Sequence, residues 1–131
     1  MENMIIRSFE IRATDAEQRT VEGIAVPYND TIDIGGGMRE QFAPGAVDLN
    51  ADVKLFRDHK EIIGIVTKME DSESGLLIRA KISDTSLGTE TLNLVKDGAI
   101  RSFSVGFIPV IDEKKDNTII RKKVDLSLIH I

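Results

Sequence analysis

Apolar and polar side chains alternate over several short stretches of this chain, which is the pattern of β-strands with one buried face. The first stretch covers residues 5–12. The second covers residues 20–26, and Pro27 ends it because proline cannot donate a hydrogen bond to a sheet. We expect these two strands to pair as a hairpin, with residues 13–19 as the turn. Further strands are predicted over residues 53–58, over residues 62–69 and 75–82 as another hairpin, around Ser104, and over residues 118–125.

A helical period replaces the alternation in one segment. Apolar side chains there recur near helical spacing, Thr85 is a candidate N-cap, and Gly98 stands just past the end, where a glycine is favoured. These signals predict one principal helix over about residues 85–97. A short helical turn is expected near residues 44–49, because Pro44 suits the first position of a helix.

The order of elements, strands followed by a helix and then further strands, predicts a mainly β protein of the α+β class. The short strands are too numerous for one flat sheet. We therefore expect a small, partly closed antiparallel β-barrel against which the helix packs. A chain of 131 residues suits a single domain.

Composition and charge narrow the classes of function. The chain has no cysteine, which excludes disulfides, zinc–thiolate sites and a cysteine nucleophile. A net charge of −5 argues against nucleic-acid binding, which needs clustered basic residues. No apolar run approaches the length of a membrane span, and the N-terminus lacks the plan of a signal peptide. We expect a soluble, intracellular protein without a cofactor or metal.

The strand around Ser104 has one small, polar face. Phe103, Val105 and Phe107 share one side of that strand and are predicted to be core, whereas Ser104 lies on the other side among small neighbours. A strand serine that simply faces water is the commoner meaning of such a pattern. The open surroundings nevertheless make Ser104 a candidate nucleophile.

Several short motifs follow one another along the chain with a distinctive order and spacing. They are Gly23-Ile24-Ala25-Val26-Pro27-Tyr28, Glu40-Gln41-Phe42-Ala43-Pro44-Gly45-Ala46, Asp58-His59 followed by Ile63-Gly64, Gly75-Leu76, Asp84-Thr85, and Gly98-Ala99-Ile100 ahead of Ser104-Val105-Gly106-Phe107. With these motifs the chain, from Ile5 to about Asp125, resembles the prohead (procapsid maturation) proteases of tailed bacteriophages, themselves distantly similar to the herpesvirus assemblins. The resemblance implies a serine endopeptidase on a β-barrel, with His59 and Ser104 as its catalytic residues.

Serine and histidine together suit this chemistry. A serine hydroxyl attacks a peptide bond only when a base accepts its proton, and histidine is the side chain suited to that task near neutral pH. Ser102 lies on the same face, but the family pattern places the nucleophile directly before the residue-Gly-Phe sequence, which selects Ser104. Arg101 is a weak candidate for an oxyanion donor; a surface arginine is its commoner identity.

The resemblance to the family weakens after Asp125. Proteases of that family are similar to one another in carrying an acidic or second imidazole group on the strand after the serine strand. In that region this chain has residues 126–131. One frame of the transposon-adapter sequence CTGTCTCTTATACACATC encodes these six residues. We therefore expect residues 1–125 to be a C-terminally truncated protease domain and residues 126–131 a read-through tail that pairs at a sheet edge. On that interpretation His130 is set aside, and Asp125 is the remaining candidate for the third member.

Two classes of function fit these observations. In the first, the protein is a serine endopeptidase that cleaves scaffold and major capsid proteins inside an assembling phage procapsid, in the host cytoplasm. In the second, it is a non-catalytic β-barrel that serves as a structural or scaffold component of the same phage head. The joint presence of His59 and Ser104 in matching contexts favours the protease. Homo-oligomerisation is left open by the sequence.

Overall fold

This computed structural model describes residues 4–58 and 60–131, and it contains ten strands and one helix within them. In chain order they are β1 (Ile5–Glu10), β2 (Ala13–Asp15), β3 (Thr20–Val26), β4 (Ile32–Gly35), β5 (Met38–Phe42), β6 (Lys54–Arg57), β7 (Glu61–Ser72), β8 (Gly75–Ile82), α1 (Ser86–Lys96), β9 (Ser102–Lys115) and β10 (Thr118–His130).

One sheet contains all of these strands, in the order β1-β9-β10-β6-β7-β8-β3-β2, and the β4–β5 hairpin attaches to β10. Most neighbours are antiparallel, but β10 runs parallel to both β5 and β6. The sheet curls so that its two ends meet where Ile11 and Arg12 lead from β1 to β2. There the Ile11 amide donates to the Arg101 carbonyl, and the Arg12 amide donates to the Glu22 carbonyl. The mainly β, partly closed barrel with one helix is thus confirmed.

The inner face of the sheet forms the core. Phe103, Val105 and Phe107 are at most 3% exposed, as the alternation predicts. The Phe103 ring stacks on Phe9 at a centroid distance of 5.0 Å, and the Phe107 ring meets Phe42 edge to face at the same distance. These aromatic pairs join β1, β5 and β9 around one apolar centre.

The helix α1 begins and ends at its sequence signals. Thr85 is its N-cap, with a side-chain oxygen that accepts a hydrogen bond from the Gly88 amide, and Gly98 adopts a positive φ of 83° just past its end. Leu92 and Val95 are buried against the sheet. The predicted bounds of 85–97 are therefore confirmed to within one residue at each end.

Strand pairing differs from the predicted first hairpin. β1 pairs with β9 rather than with β3, and β3 lies between β8 and β2. Residues 13–15, predicted to be part of a turn, form the short strand β2. The hairpin prediction was wrong because alternation reports which face of a strand is buried and carries no information on its neighbour. The second predicted hairpin, β7 with β8, is confirmed.

The short helical turn predicted near residues 44–49 is also wrong. The Ala46 amide donates to the Ala43 carbonyl at 3.1 Å, which closes a single β-turn, and Gly45 has a φ of 80° that no helix accepts. Val47 then forms an isolated bridge to Val124. Pro44 therefore stands in a tight turn.

The last strand is longer than residues 118–125. β10 continues to His130, pairs with β9 throughout this extension and pairs with β6 at its end, so residues 126–130 lie inside the sheet and not at an edge. Leu126 and Ile129 are 9% and 1% exposed. The expectation of an edge-pairing tail was wrong. It stays a prediction that an adapter sequence encodes residues 126–131.

Candidate active site

Ser104 lies near the start of β9, on the outer face of the sheet. It is partly exposed, and its neighbours along β9, Phe103 and Val105, point into the core. Across the sheet Ser104 pairs with Ser8 of β1 on one side and with His130 of β10 on the other. Paired residues point to the same face, so the three polar side chains form a row across three strands.

The hydroxyl nearest to Ser104 in this row belongs to Ser8. The two Oγ atoms are 3.5 Å apart, and the Ser8 side chain is exposed. Ser102, two residues away on the same strand and face, pairs with Glu10 and is exposed to solvent. The family pattern distinguishes Ser104 from Ser102. In the structure, Ser104 is the one of these two serines that lies opposite another hydroxyl, that of Ser8.

His59, the predicted base, lies outside the described residues. The described residues on either side belong to the β6–β7 hairpin, where the Lys60 amide donates to the Arg57 carbonyl at 3.1 Å and Asp58 has a φ of 51°. Phe56 of β6 pairs with His130, which pairs with Ser104. The end of β6 is therefore two strands from Ser104, about 10 Å across the sheet.

A contact with the helix holds the end of β6 in place. The Arg57 guanidinium donates from Nη1 to Thr91 Oγ1 at 3.0 Å, and the Thr91 hydroxyl donates to the Leu87 carbonyl at 2.7 Å. Thr91 is fully buried. Because α1 also packs on the sheet, this chain of hydrogen bonds ties the β6–β7 turn to the rigid part of the molecule.

The structure separates the other sequence candidates. Asp125 pairs with Ile108, four residues along β9 from Ser104, which places it roughly 13 Å away. The third member of such a triad contacts the histidine and not the serine, and His59 lies outside the described residues, so Asp125 stays a prediction. Arg101 is exposed, and its Nε donates to the Gly98 carbonyl at 3.0 Å, so its side chain is engaged in the loop before β9.

An apolar surface borders Ser104 on one side. Ile6, next to Ser8 on the outer face of β1, is 46% exposed. Met4 and Leu128 lie over Gly106, where an added Cβ would come within 2.9 Å of Met4 Sδ and 3.4 Å of Leu128. Sequence reasoning missed Ser8 and this surface. The polar side of the first strand, with Ser8 on it, was the available signal, but only the pairing with β9 shows its relevance.

Two further observations concern the described residues as a whole. Among residues 4–58 and 60–131, no helix has the length and apolar character needed to cross a membrane. Within the same residues, acidic and histidine side chains do not gather into a group of three or more that could hold a metal ion.

Comparisons with known proteins agree with this picture. The family model of the caudovirus prohead serine proteases matches residues 7–131. Among solved structures, the bacteriophage T4 capsid assembly protease gp21 is similar in fold, with a TM-score of 0.60 and 11% sequence identity over 95% of this chain and 93% of that chain. Among the curated proteins, none matches this chain.

Proposed function

Because the chain belongs to the caudovirus prohead serine protease family, we propose that it is a serine endopeptidase with Ser104 as the nucleophile and His59 as the general base. The proposal rests on one arrangement of strands. Ser104 faces outward, and the end of β6, which comes just before His59 in the chain, lies two strands away at the same level of the sheet. The proposal requires the His59 side chain to meet the Ser104 hydroxyl over β10.

The proposed reaction is acyl transfer. Ser104 Oγ forms a bond to the carbonyl carbon of the scissile peptide while its proton passes to His59, and the carbonyl oxygen takes up the electron pair of its double bond. The intermediate then expels the amine, which receives the proton from His59. Water repeats the sequence on the acyl-enzyme and restores the Ser104 hydroxyl. No cofactor or metal is required for any step.

The family supports a role in phage head maturation, and we infer the substrates from that role. Scaffold and major capsid proteins of the same phage are the polypeptides available within an assembling procapsid, where we place the enzyme, in the host cytoplasm. The outer face of the sheet suits such substrates, because a segment lying across it can bring its backbone to Ser104 without entering a deep pocket.

Cleavage by matched serine variants tests this proposal. The chain is co-produced with the scaffold and major capsid proteins of its phage, and their fragments are identified by mass spectrometry. Ser104→Ala and His59→Ala should abolish cleavage, whereas Ser102→Ala should leave most of it, because only one hydroxyl is aligned with the base. Loss of cleavage in Ser102→Ala with retention in Ser104→Ala would refute the assignment. Head assembly that proceeds unchanged with both Ser104→Ala and His59→Ala would favour a structural role.

A further inference from the structure

The proposed mechanism needs a hydrogen-bond donor for the negative charge that forms on the attacked carbonyl oxygen. We propose that the Ser8 hydroxyl is that donor. The inference rests on the proposed function, since it assumes that Ser104 is the nucleophile. Ser8 is then a catalytic residue contributed by the strand next to the serine strand.

The pairing of β1 with β9 makes the position of Ser8 well defined. Six consecutive residue pairs run from Ile5 with Phe107 to Glu10 with Ser102 without a register shift, and Ser8 with Ser104 lies within them. Phe9 and Phe103, the next pair, stack on the inner face at 5.0 Å. This pairing with β9 fixes the backbone of Ser8 beside that of the nucleophile.

The distance between the two hydroxyls suits a donor that is free to serve a third atom. An O–H···O hydrogen bond is commonly about 2.7–2.8 Å long, whereas the two Oγ atoms are 3.5 Å apart. The Ser8 proton is therefore only weakly engaged by Ser104. In the intermediate, the oxyanion sits on the carbon that Ser104 Oγ has attacked, next to Ser8, and a useful donor lies about 2.7–3.1 Å from that oxygen.

Two other polar side chains considered for this role, those of Ser102 and Arg101, fit it less well. Ser102 is two residues along the same strand, about 7 Å away, and Arg101 donates to the Gly98 carbonyl. In the proposed step the new bond joins Ser104 Oγ to carbon, the proton of that hydroxyl goes to His59, and Ser8 keeps its own proton while it donates a hydrogen bond.

The rate of reaction with a fluorophosphonate–rhodamine probe tests this role without knowledge of the natural substrate. The probe phosphonylates an active serine, and its phosphoryl oxygen gains charge in the transition state as a carbonyl oxygen does. The second-order rate constant is measured for the full chain, Ser8→Ala, Ser8→Thr, Ser102→Ala and Ser104→Ala, and mass spectrometry locates the labelled residue. Thermal unfolding of each variant checks that it is folded.

We expect Ser8→Ala to react on the order of 10²-fold more slowly, Ser8→Thr to recover most of the rate because it keeps the hydroxyl, and Ser102→Ala to match the parent. If Ser104 is labelled and Ser8→Ala reacts as fast as the parent, the role of Ser8 is refuted while the proposed function stands. Equal slowing in Ser8→Ala and Ser8→Thr would also refute it, since a hydroxyl would then not be what matters. A parent chain that is not labelled at Ser104 would overturn the proposed function and this inference together.

Discussion

Single residues in this molecule owe their properties to neighbours that are distant in sequence. Tyr28 donates its phenolic hydrogen to Asp71 of β7 and is half-buried. Burial first, then the hydrogen bond and the negative charge of Asp71, raise the pKa of Tyr28 well above its ordinary value. A tyrosine that ionises less readily in the folded state contributes stability that is complete below about pH 10 and is lost as the pH rises through the folded-state pKa.

Tyr28 is the only tyrosine and the chain has no tryptophan, so the near-ultraviolet absorbance of tyrosinate reports on this residue alone. We expect the folded protein to show almost no tyrosinate at pH 10, and the protein in denaturant to titrate near pH 10. In Asp71→Asn the midpoint should fall but remain above that of the denatured chain, because burial is the larger cause. A folded protein that titrates like the denatured one would contradict this account.

A buried ionic network joins several strands of the sheet. Glu40 of β5 is fully buried and accepts hydrogen bonds from Arg7 of β1, at 2.7 and 3.0 Å, and from Arg121 of β10 at 3.0 Å. Arg121 also donates to Asp112 of β9 at 2.7 Å. Three strands thus meet at the carboxylate of Glu40, which lies in the Glu40–Ala46 motif, and Asp112 joins β9 to them through Arg121.

Removal of that carboxylate should be costly. Glu40→Gln removes the buried negative charge beside Arg7 and Arg121, while Asp112 still pairs with Arg121, so we expect the cost to reach at most about 3 kcal/mol, the lower end for breaking a buried ion pair. We expect urea unfolding to show a loss of that order. Glu90→Gln, on the exposed surface of α1, is the matched control and should change the free energy of unfolding by less than about 0.5 kcal/mol. Similar stability of the two variants would show that the network contributes little.

The whole molecule is held together by β10, which touches three other strands along its length. Its first residues pair with β5, its last with β6, and β9 accompanies it throughout. Residues 126–130 form the last part of this strand. We retain the proposal that residues 126–131 are adapter-derived. A register shift between Leu126 and Leu128 changes the phase of the strand, so Leu126 and Ile129 are both buried although they are three residues apart.

If residues 126–130 of β10 are part of the cooperative fold, Ile129→Ala should destabilise the whole protein. Ile129 is 1% exposed, and such a truncation in a core costs about 2–5 kcal/mol. Ile111→Ala is the control, since Ile111 is 53% exposed at the other end of β9. We expect chemical denaturation to separate the two variants clearly. Equal, small losses would mean that residues 126–130 are not part of the cooperative fold.

Local signals account for what the sequence alone determined. The alternation predicted β3 and β8 to the residue and the buried face of β9, and the caps at Thr85 and Gly98 bounded α1. Motif order identified the family, and the family pattern is the basis for proposing Ser104 as the nucleophile. The strand bounds, the buried face and the helix caps depend on residues close together in the chain, where backbone geometry and side-chain period act directly.

Only the tertiary structure decided which strands are neighbours. The pairing of β1 with β9 sets Ser8 beside Ser104 across 96 positions of sequence, and the pairing of β10 with β6 brings the turn after Arg57 to the level of the serine. The backbone groups that join strands are the same in every residue, so side-chain pattern does not encode a partner. Partners are chosen by how the buried faces of all strands close around one core, which is a property of the whole chain.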